Sequence, residues 1–441
     1  MSDTQSESIY EQDPAERAVA GALLVFSGTN PQLRTVVVPT NAPTVFGRDD
    51  AGGSALPDPR VSAPHCELSF DGQQFSVTDL GSRNGTWVDG VKLEPGKPQL
   101  ASSGSVLRLA QTLFLLCDNV RPFQAGTVAT GERVIGPTYR AALEQVAMGA
   151  RGGATVLIIG ENGSGKELLA RTFHATVGKS GPFIAVNCAA IPPTLAESLL
   201  FGTVKGIHND AKDTRGYVRE ANGGTLFLDE VAELDLKVQA KLLRVIEHNE
   251  VMVLGASTYV KVQVRIVSAT NCDLKAEVEA KTFREDLYYR LAQFPVRVPP
   301  LRERKEELPW LIAHALGEQA AHPSLVEQAM IRPWPGNVRE LMAQMKKAAA
   351  LAKAEDSPLV REKHLDPTAG VRTGQHPALK VSLPPQPYPS PPVASRLTAA
   401  GVVAALEAND WNIAATMRAL GIPNRTTLVR LISKFKLERP V

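Results

Sequence analysis

From about residue 20 to 118, apolar residues come in short runs or alternate with polar ones, broken by turn signals: ALLVFSGT, TVVVPT, CELSFDGQQFSVTDL, GTWVDG and SVLRLAQTLFLLC. Runs of this length and spacing predict an all-β sandwich. From about 130 the period changes. Buried-type strands, ATVLIIG and GTLFLDEV, are followed by the helical periods KELLARTFHATV and LKVQAKLLRVIEHN, which predicts a parallel α/β sheet. Residues 308–354 read as helix only. Between 367 and 396, eight prolines and hardly any apolar periodicity mark a semi-rigid linker. Three helical stretches then fit into 397–437.

The 441 residues are too many for one ordinary core, so two to four domains are expected. The formal net charge of +2 means that any contact with nucleic acid must come from a local patch. Charge is uneven: residues 1–20 hold Asp3, Glu7, Glu11, Asp13 and Glu16 against Arg17, whereas residues 411–441 carry six basic side chains and one acidic. The C-terminal end is the better candidate for meeting phosphate. Cys66, Cys117, Cys188 and Cys272 show no metal-ligand spacing, which fits a reduced, cytoplasmic protein. No apolar run approaches the ~20 residues of a membrane helix, and residues 1–19 read as a disordered start rather than a signal peptide.

GENGSGKE, Gly160 to Glu167, follows the strand TVLII and opens a helix. In that context G-x-x-x-x-G-K is a phosphate-binding loop. Glycines let backbone N–H groups wrap the phosphates, the helix N-terminus adds positive potential, and Lys166 reaches the β and γ phosphates. GGTLFLDEV supplies the second half, since a buried strand that delivers Asp229 and Glu230 to its C-terminal edge is costly unless a cation or water needs them. Asp229 suits Mg²⁺, held through its coordination shell, and Glu230 suits polarising a water. RIVSATN brings Thr270 and Asn271 to a strand end, placed to sense a γ-phosphate or orient water. Arg284 and Arg290 in FREDLYYRL suit charge on a transferring phosphoryl group, although arginines on an amphipathic helix are more often plain surface charge.

Taken together, GENGSGKE, FIAVNCAAI, ESLLFG, GGTLFLDE, VQAKLLRVIE, SATN, FREDLYYRL, VPPLRER and WPGNVREL resemble the AAA+ module of bacterial enhancer-binding proteins, the sigma-54-dependent transcriptional activators. The resemblance runs from about 130 to 366. It implies an α/β subdomain over 130–300, a helical lid over 301–366, and a homo-oligomeric ring, a hexamer, with ATP and Mg²⁺ bound between subunits. By the same resemblance Gly160, Glu161, Asn162, Gly163, Ser164, Gly165, Lys166 and Glu167 form the ATP loop, and Asp229 and Glu230 serve magnesium and hydrolysis. Asn187 would be the switch partner of Glu230. Arg284 and Arg290 would be arginine fingers reaching into the neighbouring subunit, and Arg339 the second sensor. Glu167 stands where many phosphate loops place Ser or Thr, and the family itself usually has Glu there.

FGRDD, VSAPHCEL and DLGSRNGTWVDG resemble a forkhead-associated domain over 20–118. Arg48 offers a charged fork, Ser62 a hydroxyl and Asn84 an amide on loops at one end of a sandwich, with Arg83 beside them; such a set can clamp a phosphate and the adjacent backbone. The resemblance implies phosphothreonine in a partner such as a Ser/Thr kinase. His65 and the NGT turn read as braces for these loops. A sandwich kept only as an assembly surface is the plainer alternative.

Residues 397–441 resemble the Fis-type helix-turn-helix of the same regulators. The turn GIPN precedes a helix carrying Arg425, Thr426, Thr427, Arg430 and Lys434, suited to phosphate contact and entry into the major groove of enhancer-like DNA.

One stretch departs from the pattern. Where the family has Gly-Ala-Phe-Thr-Gly-Ala, the loop that grips sigma-54, this chain has GIHNDA. Gly206 and Ala211 remain, while Ile207, His208, Asn209 and Asp210 replace the first alanine, the aromatic, the threonine and the second glycine. An apolar tip has become an acidic, hydrogen-bonding one. Three functions therefore stay open: an ATP-driven regulator that remodels sigma-54 RNA polymerase, a DNA-binding regulator that uses ATP to assemble without remodelling, and a phosphothreonine-reading adaptor.

Overall fold

The computed structural model describes residues 18–49, 55–56, 58–124, 126, 128, 131, 133–178, 180–204, 214–371, 406 and 416. The chain divides into two units, Met1–Lys380 and Val381–Val441. Of the second, only Leu406 and Thr416 are described, both helical. The acidic start, the loop Gly206 to Ala211, most of the proline-rich linker, and Arg425, Thr426, Thr427, Arg430 and Lys434 therefore lie outside the described residues.

The expected sandwich is present. One sheet has six strands, in the order Asn30–Val37, Gly21–Ser27, Thr112–Cys117, Val106–Leu109, Thr86–Val88, Val91–Lys92; the other has four, Thr44–Phe46, Cys66–Phe70, Phe75–Asp79, Pro98–Ala101. Cys66–Phe70 and Phe75–Asp79 alternate strictly between buried and half-buried positions, as a strand with one covered face should. Gly21–Ser27 and Thr112–Cys117 do not alternate: every residue of both is buried. Ala22, Leu24, Phe114 and Leu116 fill the sandwich core, while Leu23, Val25, Phe26, Leu113, Leu115 and Cys117 face outward into a second core. A register shift between Leu24 and Phe26 allows Val25 and Phe26 to join the same outer face.

That second core is completed by the helical segment 301–370. Its helices are Leu308–Leu316, Pro323–Ile331 and Asn337–Ala354. Leu308, Ile312, Val326, Met330, Trp334 and Leu341 pack in one cluster with the outer face of the sandwich. The stretch expected as helix only contains a small correction. Ala320–Ala321 pairs in parallel with Leu359–Val360, because Gly317 ends the first helix and Pro323 begins the next, leaving an extended connection between them.

Between the sandwich and the helical segment in sequence lies a five-stranded, all-parallel sheet, ordered Phe183–Asn187, Thr225–Asp229, Arg265–Thr270, Val156–Ile159, Phe294–Arg297. Val156–Ile159 is buried throughout, consistent with helices on both faces. Among the described residues no helix is long and apolar enough to cross a membrane.

Candidate nucleotide and phosphopeptide sites

Parallel strands bring their C-terminal ends to one edge, and ligands of such sheets bind outside that edge. Here the edge gathers Ile159, Asn187, Asp229, Thr270 and Arg297. A cavity of about 690 Å³ opens between it and the helical segment, lined among others by Asn162, Gly163, Ser164, Gly165, Lys166, Glu167, Asp229, Glu230, Asn271 and Arg339. The loop after Ile159 turns into the helix Lys166–Val177 through Gly165, whose φ of 103° is left-handed. Gly163 is needed for closeness as well: a Cβ there would stand 2.4 Å from the carbonyl of Gly336 on the helical segment. The Val338 N–H donates to the Gly163 carbonyl at 3.1 Å, so the lid rests directly on the phosphate loop.

Lys166 is almost fully buried. Its Nζ donates to the Gly160 carbonyl at 3.1 Å and to Glu230 Oε1 at 2.9 Å. The other Glu230 oxygen accepts the Asn271 N–H at 3.2 Å, and Asn271 Nδ2 donates to Asn162 Oδ1 at 3.1 Å. Glu230 itself sits at a φ of 52°, a conformation that costs on the order of 1 kcal/mol for a residue with a side chain and recurs at functional sites. Asp229 Oδ1 accepts the Glu230 N–H at 3.1 Å and lines the cavity. Among the described residues no cluster of three His, Cys, Asp or Glu side chains could hold a metal on its own. One carboxylate beside a phosphate loop is nonetheless the donor set Mg²⁺ uses, since it keeps several waters and takes its remaining ligands from substrate phosphates.

Several expected site residues stand outside the cavity or are held by other partners. Thr270 is buried, and its Oγ1 accepts the Cys272 N–H at 3.2 Å instead of facing the cavity. Asn187 lines the cavity, but its Oδ1 accepts the Ala189 N–H at 3.0 Å, while the Glu230 carboxylate is held by Lys166 and Asn271. Glu161 faces away from the cavity and forms a bidentate pair with Arg302 at 2.8 and 2.7 Å, because the loop must also be anchored to the segment beneath it. Glu167 pairs along its helix with Arg171. Arg284 is held by Asp286 and Arg290 by Glu247; both are exposed, and neither lines this cavity.

Sequence reading missed Arg133, Tyr139, Arg304, Glu307, His314 and Met342, which share the cavity wall. Of these only Arg304 carried a signal, through VPPLRER.

At the sandwich end, Arg48 is half-exposed, and its backbone N–H donates to the Ser62 carbonyl at 2.9 Å. Ser62 Oγ accepts the Arg83 N–H at 3.2 Å, and Asn84 Nδ2 donates to the Arg60 carbonyl at 2.7 Å. The two loops that bear the four phosphopeptide candidates are thus tied to each other. Beneath them His65 is fully buried. Its Nδ1 accepts the Ser62 N–H at 3.0 Å and its Nε2 donates to the Gly85 carbonyl at 2.9 Å, an arrangement that needs the neutral ring. Burial lowers its pKa accordingly. Asp79 accepts from Gly81, Ser82 and Thr86 and fixes the second loop.

Two family models match the chain: Sigma-54 interaction domain over residues 135–297 and FHA domain over residues 44–110. The chain is 40% identical over 326 residues to the Nif-specific regulatory protein of Azotobacter vinelandii, covering 71% of this chain and 61% of that protein. It is 47% identical over 212 residues to the DNA-binding transcriptional regulator NtrC of Azospirillum brasilense, covering 46% and 44%. The match therefore spans less than two thirds of the length of either relative. Among solved structures, NtrX from Brucella abortus in complex with ADP is similar at a TM-score of 0.50 with 29% identity, covering 70% of each chain.

Proposed function

Because the chain carries a sigma-54 interaction domain joined to an FHA domain, we propose that it is an ATP-driven, DNA-binding transcriptional regulator of the sigma-54 class that responds to phosphothreonine. The observation that carries this reading is one cavity that brings together the phosphate loop, Asp229, Glu230, Asn271 and Arg339. Lys166 is paired with Glu230. ATP would draw the ammonium toward its β and γ phosphates and release the Glu230 carboxylate to orient and polarise a water. Asn271, bonded to both Glu230 and Asn162, would sense that change. Mg²⁺, held by Asp229 through water, would neutralise charge on the phosphates.

Arg339 closes the cavity from the lid, and Arg284 and Arg290, exposed and outside their own cavity, would serve a neighbouring copy in a hexameric ring. Arg48, Ser62, Arg83 and Asn84 would take a phosphothreonine of a partner such as a Ser/Thr kinase. Arg425, Thr426, Thr427, Arg430 and Lys434 would meet DNA through a Fis-type helix-turn-helix, in the cytoplasm. A second reading, regulation without polymerase remodelling, is favoured by GIHNDA at 206–211. The test mixes the full chain, ATP, its DNA site and sigma-54 polymerase. Open promoter complexes support the first reading; hydrolysis without them supports the second; no hydrolysis would leave a phosphothreonine-reading adaptor.

A further inference from the structure

The phosphate loop is held from behind by two side chains that no motif of the loop contains. The buried guanidinium of Arg304 donates through Nη2 to the Ser164 carbonyl at 2.6 Å. The buried phenol of Tyr139 donates to the next carbonyl, that of Gly165, at 2.7 Å. The two donors brace each other, with the guanidinium 4.5 Å from the centre of the tyrosine ring. Glu307 in turn takes Arg304 Nη1 at 2.9 Å and the Gly136 N–H at 2.8 Å, fixing the guanidinium from its far side.

A trans peptide is planar, with its C=O and N–H pointing in opposite directions. Anchoring the Ser164 oxygen therefore aims the Gly165 N–H the other way, and anchoring the Gly165 oxygen does the same for the Lys166 N–H. These amides lie at the N-terminus of the helix Lys166–Val177, where backbone donors lack acceptors within the helix and form an anion cradle. Gly165 must be glycine for this to work, since a Cβ would lie 2.8 Å from the Tyr139 hydroxyl.

We propose that Tyr139 and Arg304, although both stand on the cavity wall, act as positioning residues for nucleotide phosphates: through the Ser164 and Gly165 carbonyls they aim the Gly165 and Lys166 amides. The proposal rests on the nucleotide reading of the cavity and adds how the cradle is preset. Its specific consequence is that their loss weakens the hold on phosphate and leaves the hold on the nucleoside unchanged. General damage to the fold would weaken both.

The test uses the full chain and measures binding of ADP and of adenosine to the wild type, Tyr139→Phe, Arg304→Lys and Arg304→Met. One buried hydrogen bond corresponds to about a threefold to tenfold change in affinity, so Tyr139→Phe should lose that much for ADP and nothing for adenosine. Arg304→Lys should keep part of what Arg304→Met loses. If Arg304→Met fails to fold, Tyr139→Phe still decides, as it removes one oxygen and keeps the ring. Unchanged ADP affinity in Tyr139→Phe and Arg304→Lys, or equal losses for ADP and adenosine, would overturn the proposal alone. A wild-type chain that binds no ADP would overturn the nucleotide reading, and this proposal with it.

Discussion

Arg108 Nε donates to Glu327 Oε2 at 2.8 Å, joining a strand of the sandwich to the lid helix Pro323–Ile331 through a pair whose side chains are only 16% and 3% exposed. The Trp87 ring lies 3.6 Å from the same guanidinium. Around this pair the outer face of the sandwich and the lid share one apolar core, and Lys305 adds a bond to the Gly104 carbonyl at 2.7 Å. The domain expected to read phosphothreonine is thus built onto the part of the nucleotide site that carries Arg339.

Removing one partner of a buried ion pair strands the other charge. Arg108→Ala should destabilise the chain by about 3 kcal/mol, at the low end of the usual range because Arg108 keeps some contact with water. Replacing both residues, Arg108→Met with Glu327→Met, should cost less than the single change. A denaturant-unfolding double-mutant cycle on the full chain checks this. Strictly additive costs would mean that the pair does not hold the seam.

The Lys166–Glu230 pair gives two separable losses. Lys166→Ala should abolish ATP binding, because the cradle loses a buried ammonium aimed at the phosphates. Glu230→Gln should leave binding intact and stop turnover, since an amide still fills the space but cannot polarise water. Normal hydrolysis by Glu230→Gln would refute that role.

Arg290 points its guanidinium to Glu247 on the surface, away from its own cavity. If Arg284 and Arg290 work on a neighbour's ATP, Arg290→Ala and Glu230→Gln chains should each be inactive alone, yet regain part of the activity when mixed. In some junctions of the mixed ring an intact arginine would meet an intact glutamate. A mixture as inactive as its parts would place the arginines outside catalysis.

The three-part layout from 20 to 366 was legible because each region imposes its own period: two in the sandwich, strand then helix in the sheet, helix alone in the lid. Asp229 and Glu230 stood out because adjacent carboxylates at the end of a buried strand are rare without a task, and Lys166 because it closes the G-x-x-x-x-G-K spacing at the start of a helix. Thr270 has a local partner for a physical reason. A polar residue at the end of a buried strand can satisfy itself locally, and its hydroxyl found the Cys272 backbone. Tyr139 and Arg304 act on carbonyls of the loop from distant stretches of sequence, so no local spacing announced them. The seam had a signal, ALLVFS and TLFLLC, since an antiparallel strand with a run of consecutive apolar residues must be covered on both faces. Nothing in the sequence said what the second cover was.

His65 yields a pH prediction. Its pKa is lowered from 6.5, chiefly by burial, and its Nδ1 must stay unprotonated to accept the Ser62 N–H. A base whose folded pKa is depressed contributes stability that is complete above its unfolded pKa and is lost as pH falls through the folded one. The sandwich should therefore lose stability on acidification below 6.5, and a histidine NMR titration should show this ring holding its neutral form longer than exposed histidines. Titration at or above the ordinary value would contradict the hydrogen-bond assignment. His65→Asn should remove this pH step at the expense of overall stability.

The stretch from Gly206 to Ala211 stands in sequence where the resembled family grips sigma-54, so it tests the proposed output of the ATP site. Four changes, Ile207→Ala, His208→Phe, Asn209→Thr and Asp210→Gly, would restore the aromatic-threonine tip that the resembled family presses against sigma-54. An aromatic contact at an interface is worth about 2 kcal/mol or more, so the changed chain should form open promoter complexes with sigma-54 polymerase more than about tenfold better than the natural one. ATP turnover should stay the same in both, because the phosphate loop, Asp229 and Glu230 are untouched. Equal yields from both chains would mean that His208 and Asp210 already serve as a working tip. A gain accompanied by faster hydrolysis would instead show that the loop acts back on the nucleotide site.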